Sequence, residues 1–438
     1  PLDPTKLKSV AVIGPNADQA QFGDYTWGKS NQDGINPLAG IRNFLGDKVK
    51  ITYAEGCSLS SLDTSGFGNA VAAARVSDVA LVFVGTSSTA FVRSNQRVAT
   101  SGEGIDLNDI SLTGRQEDLI RALHKTGKPV VVIFVTGKPI AAAWVKQHVP
   151  AVITQFYGGE QAGYSIAEVI FGKVNPSGKL SFSFPQSTGH LPCYYNYLPT
   201  DKGYYKVPGS YEKPGRDYVF ASPDPLWAFG HGLSYTRFEY LKASCDRQKY
   251  QEGDTIRVRV SVKNTGKRTG KEVVQVYVRD VVSSIMTPVK VLRAFDKKEI
   301  ASGEIRDFEL RVPVKELYLT DELGRRFVEP GVFEIQVASA SDDVRHKIYV
   351  GVGKYKESAL RSMDDDLKRY AGGTVITVSG VVRDVQAYPM EGVLVSNASG
   401  TVITKTTADG TYTISVGEMD ALVFTKEGFQ KHIVPVES

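Results

Sequence analysis

Short apolar runs alternate with amphipathic stretches over the first part of the chain. The runs fall at 9–14 (SVAVIG), 49–54 (VKITYA), 78–85 (DVALVFVG), 129–137 (PVVVIFVTG), 151–159 (AVITQFYGG) and 179–185 (KLSFSFP). The first, third and fourth are unbroken and β-branched, the pattern of strands covered on both faces. Helix-like stretches occupy 69–75 before the third run, 114–125 before the fourth and 161–171 after the fifth. Strands alternating with helices predict crossover units and a mostly parallel sheet within 1–184. A sheet of this kind binds ligands at the carboxyl ends of its strands. Those ends carry Gly14-Pro15-Asn16, Gly85-Thr86-Ser87, Thr136-Gly137-Lys138 and Gly158-Gly159-Glu160.

The pattern then changes twice. Between 185 and 232 periodicity fades into a stretch rich in proline and tyrosine. It is too aromatic for a disordered linker and reads as a connector packed across domain surfaces. From 233 to 353 the runs TIRVRVSVKNTG, EVVQVYVRD, RDFELRVPV and GVFEIQVAS alternate with period two, which predicts an immunoglobulin- or fibronectin-like sandwich. Residues 354–373 are polar and charged, with Asp364-Asp365-Asp366 in the middle, and read as a linker. Residues 374–438 alternate again, and Asp409-Gly410 between two runs signals a hairpin in a second, small β-sandwich. The fold class expected is α/β: a mostly parallel α/β sandwich domain followed by two β-sandwiches.

Composition narrows the function. A length of 438 residues suits about three domains. The 42% apolar and 23% charged content is that of folded protein. The 52 basic and 48 acidic residues are mixed along the chain, for a net charge of +4, so no basic stripe marks a nucleic-acid partner. Three cysteines (Cys57, Cys193, Cys245) and six histidines lack CxxC or HExxH spacing, which argues against a zinc site or a disulfide scaffold. No run approaches the roughly 18 apolar residues of a membrane span. The chain opens at Pro1 and runs at once into a strand, so it reads as beginning inside a larger protein, with any export signal upstream.

The leading candidate for chemistry is the stretch of about thirty loop residues after the third run, too long for a passive connection in a compact domain. It carries Glu103, Asp106 and Asp109, with Gly102 and Gly104 around Glu103. Glycines beside an acid let the backbone bring its carboxyl close to a ligand. One carboxyl on such a loop suits a general acid/base. A solvated loop with helix-capping acids fits the same spacing. The turn at Gly14–Asp18 lacks both phosphate-binding arrangements and reads as a strand-end turn with Asp18 capping a helix. Gly158-Gly159-Glu160 is either a ligand-facing loop or a tight turn with an acid at the positive helix end. His231 is either a ligand or a histidine hydrogen-bonded in a joint between domains. Asn397-Ala398-Ser399 is a glycosylation sequon.

Five segments in order, LKSVAVIGPNAD, GDYTWG, GKPVVVIFVTGKPI, FGKVNPSGKLSFSFP and FGHGLSYTRFEY, resemble the C-terminal half of glycoside hydrolase family 3. This family includes β-glucosidases and β-xylosidases. The resemblance covers about 7 to 240, and the sandwich after it looks like the fibronectin type III-like domain of many members. It implies an N-terminal (β/α)8 barrel, in the same protein or a separate chain, supplying a nucleophilic Asp within Ser-Asp-Trp. Gly102-Glu103-Gly104-Ile105-Asp106 is similar to the family's Glu-Gly-x-Asp-Arg stretch, which maps the general acid/base onto Glu103. The sequence departs at Leu107, where the family has Arg, and at Leu112-Thr113, where it has Leu-Pro. No Asp precedes Trp27, Trp144 or Trp227, so the nucleophile motif and barrel are missing from this sequence.

The family reading implies a β-linked oligosaccharide substrate, no metal or organic cofactor, and Asp106, Trp27 and Phe91 as substrate-loop candidates. Glucose and xylose specificity stay open, as does a non-catalytic carbohydrate-binding or interaction protein. The tail is similar to the carboxypeptidase regulatory-like sandwiches of exported bacterial proteins, through SGVVRD and TTADGTYTISV. That points to a periplasmic or extracellular bacterial protein, and leaves a homodimer through the C-terminal domain as one arrangement. The boundaries expected are 1–184, 185–232, 233–353, 354–373 and 374–438.

Overall fold

The structure is a computed structural model that describes residues 1–28, 31–88, 99–198, 212, 214, 220–355, 375–384, 388–397, 403–417, 421–426 and 432–435. The chain divides into two compact units, Pro1–Glu329 with Phe333–Ile348, and Pro330–Val332 with Tyr349–Ser438. The first unit takes in the α/β part and most of the sandwich after it.

Five parallel strands form the α/β sheet: β1 (Ser9–Ile13), β2 (Lys50–Ala54), β3 (Val79–Gly85), β4 (Val130–Val135) and β5 (Ala151–Gln155). Their order is β2-β1-β3-β4-β5, parallel at every pairing. Helices α1 (Pro37–Leu45), α2 (Phe67–Arg75), α3 (Gln116–His124), α4 (Ala143–His148) and α5 (Ala162–Ile170) connect them. Side chains alternate across a strand, so β1 and β3 feed two cores. Val10, Val12, Leu81 and Phe83 pack with Leu38 and Ile41 of α1 and Ile166 and Ile170 of α5. Ala11, Ile13, Val82 and Val84 pack with Ala70 of α2, Leu119 and Leu123 of α3 and Val145 of α4. Burial on both faces explains why the β3 and β4 runs are apolar throughout.

Two expectations change here. The run 179–185 adds no strand to the sheet: Phe184 makes an isolated bridge to Trp227. Its alternating Ser and Phe instead place Phe182 and Phe184 in a stack with ring centroids 5.5 Å apart, and Leu180 N–H donates to His231 O at 2.8 Å. The segment thus pairs with 226–231, and His231 sits in this joint, where burial holds its imidazole below the usual value. Asp18 caps no helix directly. Asn36 is the N-cap of α1, its Oδ1 accepting from Ala39 N at 2.8 Å, and its Nδ2 donates to Asp18 Oδ1 at 2.9 Å.

The following sandwich has one sheet of β10 (Val291–Ile300), β9 (Gly270–Asp280), β14 (Gly331–Ala340), β15 (Asp343–Val352) and β7 (Lys249–Tyr250), and another of β11 (Ile305–Pro313), β8 (Thr255–Asn264) and β6 (Phe238–Cys245). A two-stranded piece pairs β12 (Leu319–Thr320) with β13 (Arg326–Phe327). Gln275 of β9 ties this sandwich to the α/β part, its Nε2 donating to Gly230 O at 3.1 Å. Tyr195 stacks on Phe229 with centroids 4.2 Å apart.

In the second unit β16 (Val375–Val381) pairs with β19 (Thr411–Gly417), and β18 (Ile403–Lys405), β17 (Leu394–Asn397), β20 (Ala421–Thr425) and β21 (His432–Pro435) form a second sheet. A small core of Val395, Ile414, Val416 and Leu422 lies between them. The turn at Asp409-Gly410 forms, with Gly410 N–H donating to Thr407 O at 2.8 Å. It is no hairpin, because the strands it joins, β18 and β19, belong to different sheets. Most of the expected linker, 356–373, and Ala398-Ser399 of the sequon lie outside the described residues. Among the described residues no helix is long and apolar enough to cross a membrane.

Candidate active site

The strand order reverses between β1 and β3, and a parallel sheet opens its ligand crevice at such a switch point. The two loops that flank it are the one after β1 and the long one after β3. Ser87 and Thr100 zip the arms of the long loop together: Ser87 N–H donates to Thr100 Oγ1 at 3.1 Å, and Thr100 N–H to Ser87 O at 3.0 Å. Ser101 to Gly104 therefore emerge at the end of β3. Ser88 Oγ donates to Phe22 O at 2.7 Å, tying this loop to the one after β1.

Beneath the crevice lies a floor of hydrogen-bonded polar groups. Asn16, after β1, is fully buried; its Nδ2 donates to Thr86 O at 3.4 Å and its Oδ1 accepts from Gln21 Nε2 at 2.7 Å. Gln116 at the start of α3 accepts from Gly85 N at 2.7 Å and donates to Leu59 O at 2.9 Å. Tyr157, after β5, hydrogen-bonds Thr86 Oγ1 at 2.6 Å. Burial pushes the Tyr157 phenol up, while hydrogen bonds with Thr86, Ser101 and Gly137 work against the rise. Such networks fix backbone position because an unpaired buried polar group is costly.

Glu103 stands on a tight turn above this floor. Ile105 N–H donates to Gly102 O at 3.1 Å, and Gly104 takes φ +72°, the left-handed angle that a type II turn demands at this position. The loop after β1 grips the turn twice. Asp24 Oδ2 accepts the Glu103 N–H at 2.7 Å, and the Tyr25 hydroxyl donates to Glu103 Oε2. Thr26 Oγ1 braces that loop, donating to Gly23 O at 2.7 Å. Glu103 itself is exposed. Downstream, Asp109 Oδ1 accepts from Ser111 N at 2.9 Å and Thr188 Oγ1 at 3.1 Å, bonds that hold its carboxyl below the usual range. Lys138, after β4, faces Asp109, and burial depresses its ammonium.

The sequence candidates separate accordingly. Trp27, 99% exposed, follows the loop that holds Glu103. Asp106 is exposed on the Glu103 loop, and among the described residues no hydrogen bond or ion pair joins the two. Phe91 lies outside the described residues. Glu160 sits in a short 3-10 turn before α5, and its carbonyl accepts from Ile35 N at 2.7 Å, which makes this a structural turn. Residue-by-residue reading missed Asp24 and Tyr25. Their signal was the GDYTWG segment, whose acid and phenol had no partner until the fold supplied one.

Chemically, the arrangement offers one carboxyl on a rigid support that can give or take a proton. The Asp24 carboxylate beside it is engaged by the backbone of Glu103. Among the described residues no group of three or more His, Cys, Asp or Glu side chains gathers to hold a metal.

Residues 1–235 match the glycosyl hydrolase family 3 C-terminal domain, and 272–341 match the fibronectin type III-like domain. The chain is 37% identical over 358 residues to a β-xylosidase of Formosa agariphila, covering 79% of this chain and 46% of that protein. It is 32% identical over 366 residues to a periplasmic β-glucosidase of Salmonella typhimurium, covering 78% of this chain and 46% of the relative. Among solved structures, the β-glucosidase from Listeria innocua in complex with glucose superposes with a TM-score of 0.69 at 30% identity, over 81% of this chain and 47% of that one. The chain spans about half the length of the curated relatives it matches.

Proposed function

The chain belongs to glycosyl hydrolase family 3 through its C-terminal domain, and on that premise we propose that it is the acid/base-bearing part of a retaining exo-acting β-glycosidase. Glu103 is its general acid/base, and a (β/α)8 barrel supplies the nucleophilic Asp. The observation that carries this reading is a carboxyl held at the switch-point crevice by Asp24 and Tyr25. In the first step the barrel Asp bonds to the anomeric carbon as the glycosidic C–O bond breaks, and Glu103 passes its proton to the departing oxygen. In the second, water attacks the same carbon, Glu103 takes the water proton, and the Asp leaves. The two carboxyls must lie about 5–5.5 Å apart. An acid must also hold its proton at working pH, which calls for burial or a second carboxylate nearby. The exposure of Glu103 here supports a covering half that provides both.

The substrate proposed is a β-glucoside cleaved from its non-reducing end. A β-xyloside is the second reading, favoured by the 37% identity to a β-xylosidase. Comparing kcat/KM for matched aryl β-glucosides and β-xylosides decides between them. Export to the periplasm or beyond is part of the proposal, supported by the periplasmic relative.

In the enzyme carrying the barrel half, Glu103→Gln is expected to lower turnover of substrates with poor leaving groups by roughly two to four orders of magnitude. Activated aryl glycosides lose less in the first step, and azide restores their turnover by forming a glycosyl azide. Wild-type kinetics in Glu103→Gln, with azide-rescued loss in Asp106→Asn instead, contradict the assignment.

A further inference from the structure

Tyr25 is the one described residue other than glycine whose φ is positive, at +62°. Left-handed backbone disfavours a residue with a side chain, and it persists where surrounding structure holds it. Nothing in the packing demands a tyrosine here, since Tyr25 is 84% exposed. A glycine would suit the backbone better and a polar residue the surface. What the tyrosine does reach is Glu103, to whose Oε2 its hydroxyl donates, while Asp24 next to it accepts the Glu103 N–H at 2.7 Å. Neighbouring residues thus hold the side chain and the backbone of one carboxyl-bearing turn. The loop that carries them is itself fastened, with Ala20 N–H donating to Asn31 Oδ1 at 2.7 Å and Asn31 Nδ2 to Asp18 O at 2.9 Å.

We propose that Tyr25 is a positioning residue for Glu103, its phenol fixing which carboxyl oxygen exchanges the proton. This rests on the reading of Glu103 as acid/base. With Oε2 occupied by the phenol hydrogen, Oε1 is the oxygen left to act. The proton moves from Oε1 to the glycosidic oxygen in the first step and from water to Oε1 in the second. Asp24 does for the backbone of Glu103 what Tyr25 does for its side chain. Tyr157 after β5 also borders this cluster, feeling Asp24 and bonding Ser101. Lys138 after β4 faces Asp109 instead.

Two substitutions separate positioning from packing. Tyr25→Phe keeps the ring and the strained backbone and removes the donor. Tyr25→Gly removes the donor and the strain together. In the enzyme carrying the barrel half, both are expected to lower kcat on an activated aryl glycoside roughly 10- to 100-fold, the reach of a misplaced catalytic group. KM should change little, and azide should restore turnover. Tyr25→Gly should melt no lower than the parent, although its activity falls. In the 438-residue chain alone, three-bond couplings of the Glu103 methylene protons should report one rotamer in the parent and averaging in Tyr25→Phe. Parent-like kcat in Tyr25→Phe overturns the inference, as do unchanged couplings. If Glu103→Gln is fully active the acid/base reading itself has failed. If Glu103→Gln is impaired and Tyr25→Phe is not, only this inference has.

Discussion

Asp280, at the end of β9, shows how far a carboxyl in this chain departs from ordinary behaviour once water is withdrawn. Burial pushes it up to about 6, and Glu329 nearby adds to the rise. The folded protein therefore keeps a proton that the unfolded chain releases between about pH 4 and about pH 6. Its contribution to stability is full below that window and is lost as pH rises through it. Asp280→Asn is accordingly expected to stabilise the protein at pH 8, by about 1 kcal/mol after allowing for solvent screening, and to change little at pH 4. Thermal melts at the two pH values check this; equal effects at both would show that the carboxyl is not strained. Glu103, the proposed acid, is by contrast exposed in this chain.

At the scale of elements, α1 illustrates both what could be read from the residues and what could not. Asn36 followed by Pro37 is the signature of a helix start, yet PLAGIRNFL carries Gly40 in its middle and gives a weak helical pattern. Gly40 is there because α1 packs closely on α5: a Cβ on it would lie 2.1 Å from Gly163 O. Such proximity belongs to the fold and leaves no local trace. Asn36→Ala should cost about 1–2 kcal/mol, since it removes the cap and the donor to Asp18, and denaturant melts measure it. Asn36→Ser should recover part of the loss by restoring the cap alone. Other elements divide along the same line. The β1, β3 and β4 runs were readable because burial on both faces selects β-branched residues whatever their neighbours. The runs at 179–185 and around Asp409-Gly410 misled because alternation and turn chemistry are local, whereas the choice of partner strand is made across the fold. The Glu103 loop was conspicuous by its length and glycines. Its grip by Asp24 and Tyr25 joins residues far apart in sequence, which spacing does not reveal.

At the scale of the whole molecule, the proposed function makes the site half a site. Glu103 is supported from below by the crevice floor and from the side by the loop after β1. Trp27 and Tyr25 of that loop are 99% and 84% exposed. One carboxyl can complete neither half of a double displacement. The chain spans about half the length of the relatives it matches, and the proposal puts the nucleophile and the cover for the acid in a barrel. The most direct measurement is hydrolysis of an activated aryl β-glucoside and β-xyloside by the purified 438-residue chain, alone and fused behind a family 3 barrel half that is inert by itself. The account predicts no turnover by the chain alone, turnover by the fusion, and loss of it in the fusion carrying Glu103→Gln. Turnover by the chain alone, or a fusion in which Glu103→Gln is as active as the parent, would contradict it.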